Sequence, residues 1–118
     1  MVIVATVSAL AQDKQELCSG NTYQVGVCLT RQYKIIDAEM TATFFAAMKA
    51  AASDYTPSDI RNWKLAQRRW IAYRDAECKA EYGLWGGGSG GPNALKSCLI
   101  NLTKERSAHL KETFYLSK

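Results

Sequence analysis

Apolar residues recur at helical spacing through the first half of the chain: Leu29, Tyr33, Ile36, Met40, Phe44, Ala47 and Ala51. Steps of three and four residues place them in one stripe along a helix. With no proline, and no glycine after Gly26, the pattern predicts one long amphipathic helix over residues 23 to about 53. The segment DYTPSD ends it and opens a second, with Thr56 as N-cap, Pro57 at the first helical position and Asp59 in the first turn. That second helix is expected to run to about Tyr82. On its wheel Ile60, Trp63, Gln67, Trp70, Ile71, Arg74 and Cys78 share a face. A third, from Pro92 or Asn93 to about Phe114, carries Leu95, Cys98, Leu99, Leu102, Leu110 and Phe114. Outside the N-terminus no stretch alternates like a strand.

A helix with one apolar stripe must bury it against a neighbour, and the first two helices are joined by only a few residues. The expected fold is therefore all-α, an antiparallel three-helix bundle. Between helices two and three lies the glycine-rich stretch WGGGSGGP, residues 85–92. Glycine accepts the positive φ a reversing chain needs, but the six glycines from Gly83 to Gly91 exceed what a turn requires. Leu84 and Trp85 are then either exposed anchors of a contact loop or inward-turned caps on the core, and most loops merely connect. Gly86, Gly88 and Gly91 formally match G-x-G-x-x-G, but a helix precedes them where a strand should, so nucleotide binding is not implied.

The four cysteines, Cys18, Cys28, Cys78 and Cys98, change the picture of the loop. No C-x-x-C pair occurs and His109 is the only histidine, so disulfides are favoured over a metal site. Of the three connectivities, the sequential one (Cys18 with Cys28, Cys78 with Cys98) closes two local loops, each bridge contributing about 3 kcal/mol. The second would tie two helix ends together beneath the glycines. Disulfides imply an oxidising compartment. Residues 1–11, MVIVATVSALA, are free of side-chain charge and end small-x-small, as the tail of a secretory signal peptide does. A buried apolar strand or helix is the competing reading of that stretch. The expected organisation is a signal remnant over 1–11 and one helical domain over 12–118, periplasmic or secreted.

At 118 residues, 47% apolar and 22% charged, the chain suits one globular domain. The net charge of +4 is spread along it, so nucleic acid is not an indicated partner. Gln67 and Arg74 interrupt an otherwise apolar face and need partners if buried. Asp37, at the edge of the helix-one stripe, is the expected partner of Arg74, with Glu77 or Glu81 as local alternatives; Asp37, Gln67 and Arg74 would form an interhelical polar clasp. No Ser/His/Asp or Cys/His arrangement is present, so neither catalysis nor a cofactor is indicated.

The run AQRRWIAYRDAEC, followed by a glycine-containing loop and a further cysteine near a leucine-rich helix, resembles the LprI-type lysozyme inhibitor family of exported bacterial proteins. The likeness spans roughly Cys18 to Leu110, including YKIIDAEMTATF after Cys28, and rests most on Gln67, Trp70, Tyr73, Arg74, Asp75 and Cys78. Met40 and Thr41 stand where the family pattern often has leucine and asparagine. QELC before Cys18 lacks the small residues of a lipobox, so no membrane anchor is implied. The resemblance implies an inhibitor that binds lysozyme and blocks peptidoglycan hydrolysis. Leu84, Trp85, Ser89, Asn93 and Lys96 are the expected contact residues, on the argument that a protruding loop with donors suits a cleft holding two carboxylates. The alternative is a cell-envelope interaction module without lysozyme activity, using a basic ridge of Arg61, Lys64, Arg68 and Arg69.

Overall fold

A computed structural model describes residues 18–116. The signal-remnant reading of residues 1–11 lies outside the described residues, as does the start of the helical domain near residue 12. Three helices follow in order: α1 (Thr22–Ala51), α2 (Pro57–Gly83) and α3 (Gly91–Thr113). No strand occurs among the described residues.

Local chemistry sets the helix starts. At α1, Asn21 accepts from the Gln24 backbone N–H and the Gln24 side chain accepts from the Asn21 N–H, a reciprocal capping box. At α2, Thr56 and Asp59 make the same exchange ahead of Pro57. The third helix has no side-chain cap; its entry is made by Gly90 and Gly91, with Pro92 in the first turn.

Helix α3 packs against both others, most extensively against α1, whereas α1 and α2 touch little directly. The pairs that join α2 to α3 are Cys78 with Cys98, Arg74 with Thr103, Gln67 with Arg106 and Trp63 with Phe114. At one end of the molecule Phe44, Ala47, Met48 and Leu110 form an apolar core, flanked by Ile60, Trp63, Phe114 and Leu116. Leu110 is fully buried there, which stabilises by about 1.5–3 kcal/mol relative to exposure. Trp63 and Phe114 close this end edge-to-face at 4.9 Å. Toward the other end the apolar filling gives way to a polar layer and then to the buried Cys78–Cys98 disulfide. Cys18 is bonded to Cys28, pinning the residues before α1 to its second turn.

Candidate functional site

Two regions carry the residues singled out from the sequence: the polar layer in the middle of the bundle, and the end where the 84–90 link meets the starts of α1 and α3.

In the polar layer Arg74 is buried and donates through Nη1 to Asp37 at 2.9 Å and to Thr103 Oγ1 at 3.2 Å. Its Nε donates to Asp75 at 2.9 Å. The local partner is thus Asp75, adjacent in sequence, and not Glu77 or Glu81. The guanidinium also lies over the rings of Tyr33 and Trp70. Burial by itself lowers the pKa of Arg74, but the hydrogen bonds to Asp37 and Asp75 outweigh it and hold the group above its ordinary value. Burial raises the Tyr33 phenol above its usual value, opposed in part by the Arg74 charge.

Gln67, also buried, bridges the same layer. Its Nε2 donates to the Met40 sulfur at 2.8 Å and its Oε1 accepts from Arg106 Nε at 3.0 Å. Met40, at the position where the resembled pattern often has leucine, therefore supplies an acceptor that leucine lacks. Arg106 was not singled out from the sequence. It lies over the Trp70 ring, as Arg74 also does, its Nη2 is buried without a hydrogen-bond partner among the described residues, and burial lowers its pKa. The signal was available, since Arg106 follows Leu102 and precedes Leu110 by four residues each, on the α3 stripe.

The polar groups of this layer are bonded to one another across the three helices. Its arginine is enclosed and paired, and no nucleophile stands beside a base. A concavity of about 590 Å³ lies elsewhere, between α1 and α3, and mixes Glu39 and Glu112 with Lys104 and Lys111. No group of three His, Cys, Asp or Glu is placed to hold a metal among the described residues. His109 is exposed, 3.5 Å from Thr113 Oγ1.

At the loop end, Leu84 is 86% exposed and Trp85 is 51% exposed. Trp85 does not turn into the core. Its ring folds back over Gly90, where a Cβ would come within 2.6 Å of Cζ3. A Cβ on Gly91 would likewise meet the Tyr82 ring at 2.8 Å. Gly86 and Gly87 take positive φ of 55° and 85°, the conformation glycine adopts without strain. Successive short turns are closed by Gly86 N–H to Gly83 O, Gly88 N–H to Trp85 O and Gly91 N–H to Gly88 O. Two glycines thus serve φ and two serve the close approach of aromatic rings, four of the six from Gly83 to Gly91.

Ser89 is exposed, while Asn93 and Lys96 are half-buried on the first turns of α3. Asn93 is engaged within the molecule. Its Nδ2 donates to the Thr22 carbonyl at 3.1 Å, and its Oδ1 lies where a Cβ on Gly26 would stand 2.9 Å away. It joins α3 to α1.

A model of the family described as "Lysozyme inhibitor LprI" matches residues 13–110. An uncharacterized protein of Rhizobium meliloti (strain 1021) is 32% identical over 123 aligned residues, covering 95% of this chain and 88% of the relative. No solved structure matches.

Proposed function

The chain belongs to the LprI lysozyme inhibitor family, and on that premise we propose that it acts outside the cytoplasm by binding lysozyme and blocking hydrolysis of peptidoglycan. The observation that carries this reading is the family match over residues 13–110. Two features of the chain support it. All four cysteines are paired in disulfides, which suits an oxidising compartment. Gln67 and Arg74, the two buried polar residues of the family-like run, are engaged with partners inside the bundle, as suits a scaffold that presents a surface. No helix among the described residues is long and apolar enough to cross a membrane.

The reading takes the helices as an antiparallel bundle, supported by the falling and rising numbers of the α2–α3 pairs, with the glycine-rich link at its tip. Leu84, Trp85, Ser89 and Lys96 are then the groups offered to the enzyme, Asn93 serving to hold the tip together. A +4 chain gains no long-range attraction toward a basic lysozyme. Affinity has to come from the local fit of this tip. Lysis of a peptidoglycan suspension by animal-type and goose-type lysozymes, with and without the oxidised protein, tests the proposal. Inhibition near stoichiometry is the expected result, and full lysis by both enzymes in excess protein removes it.

A second reading has one observation in its favour. Arg61, Lys64, Arg68 and Arg69 are exposed along α2 and form no ion pair among the described residues. Such a ridge suits an acidic envelope protein. A lysozyme-inactive chain that retained an endogenous acidic protein on a column, and lost it at high salt, would favour this reading.

A further inference from the structure

We infer that the lysozyme-docking surface is composite: the first turns of α1, through Tyr23 and Val27, form one half of it, and the 84–90 link with Lys96 forms the other. This rests on the inhibitor reading and specifies its contact surface.

Tyr23 is 79% exposed and Val27 41%. A shallow groove of about 330 Å³ runs between them and α3, reached also by Thr30, Ser89, Pro92 and Lys96. The Trp85 ring lies over Gly90, the residue after the groove-lining Ser89, and Trp85 and Leu84 are both exposed. Four large exposed hydrophobic or aromatic side chains thus gather at one end of the molecule. Interface anchors are enriched in aromatic residues of this kind.

The geometry between the halves is fixed. The Asn93–Thr22 hydrogen bond and the close approach at Gly26 join α1 to α3, while the Cys18–Cys28 disulfide braces the start of α1 and the Cys78–Cys98 disulfide ties α3 to α2. Such preorganisation lowers the ordering cost of binding.

Charge selects the occupant. Among the described residues Lys96 is the one ionisable cation lining the groove and no carboxylate lines it, and the first turns of α1 and α3 contain no acidic residue. The remaining polar groups are hydroxyls and an amide. A surface with aromatic flanks, hydroxyl donors and a single uncompensated cation complements a saccharide-binding cleft that carries two carboxylates. Lys96 is the group directed at those carboxylates, and Tyr23 and Trp85 are the anchors on either side.

The test uses the full oxidised chain, lysis by animal-type and goose-type lysozymes, and the variants Tyr23→Ala, Lys96→Glu, Trp85→Ala and Phe45→Ala. Phe45 is exposed on α1, about 27 Å along the helix from Val27. Tyr23→Ala and Lys96→Glu are each expected to raise the half-inhibitory concentration about ten-fold or more, with Phe45→Ala unchanged and helical circular dichroism preserved throughout. Loss of inhibition in Trp85→Ala alone, with Tyr23→Ala and Lys96→Glu at wild-type potency, overturns the composite surface and leaves the inhibitor reading standing. A wild-type chain that inhibits neither enzyme overturns both.

Discussion

Arg74 on α2 reaches Asp37 on α1 at 2.9 Å, and the pair joins two helices that otherwise scarcely meet. With Thr103 of α3 as third member, this long-armed contact ties α2 to both other helices, beside the Gln67–Met40 bond and the packing of Ile60 and Trp63 on the apolar core. Arg74 is enclosed while the Asp37 side chain is 40% exposed, so the two ends of the pair respond differently to mutation.

Removing Asp37 leaves Arg74 its bond to Asp75, so Asp37→Ala is expected to cost about 1–2 kcal/mol. Arg74→Ala also strands Thr103 and empties the space between Tyr33 and Trp70, and is expected to cost about 3 kcal/mol or more. Arg74→Lys should not rescue it, since a single ammonium cannot reproduce the guanidinium fork. Urea unfolding of the oxidised proteins measures all three; an Asp37→Ala loss equal to that of Arg74→Ala would contradict the division of roles.

Arg106 is the counterexample within the same layer. Its Nη2 is buried without a partner among the described residues, and an unpaired buried N–H is costly. Arg106→Met keeps the stem and removes that group, at the expense of the bond to Gln67. The expected change is within about 1 kcal/mol of wild type, in either direction. A loss of several kcal/mol on urea unfolding would show that the Trp70 stacking and the Gln67 bond outweigh the orphaned donor.

The glycines of the link separate by mechanism. Gly90→Ala drives a methyl into the Trp85 ring and is expected to displace it, with a shift in tryptophan emission and a loss of about 1–2 kcal/mol. Gly83 has open space around its Cβ position and no positive φ. Gly83→Ala should therefore be neutral or stabilising by up to about 1 kcal/mol. Thermal unfolding of the two variants side by side decides whether ring contact or chain freedom governs this segment.

Asp59 gives a pH signature. Its carboxylate accepts from the Thr56 backbone N–H and hydroxyl, which holds its pKa below the ordinary aspartate value. A folded-state pKa below the unfolded one means that the stabilisation is present above about pH 4 and is lost as pH falls through the lowered native value. Asp59→Asn should flatten that part of the acid limb and leave the limb above about pH 5 unchanged. Stability curves against pH for the two proteins, overlaid, check it; identical acid limbs would remove the capping contribution.

The chain's local chemistry was enough to place its elements. The 3.6-residue stripe of Ile36, Met40, Phe44, Ala47 and Ala51 marked α1, and Thr56-Pro57-Ser58-Asp59 marked the start of α2, because caps and periodicity act over a few residues and need no tertiary context. The face of α2 that carries Gln67, Arg74 and Cys78 was legible for the same reason, and the need of a buried cation for a counter-charge pointed across to Asp37. Three things were decided only by the folded arrangement. The local carboxylate that reaches Arg74 is Asp75 because side-chain direction, not helical spacing, sets that contact. Arg106 and the Met40 sulfur became partners of Gln67 because α3 lies against both other helices, which no pattern within one helix specifies. And Tyr23 joined the tip because the Asn93–Thr22 bond brings the first turn of α1 beside a loop more than sixty residues away in sequence. Periodicity fixes which face of a helix is buried; which residues of different helices meet on that face depends on packing angle and register, and those are properties of the whole bundle.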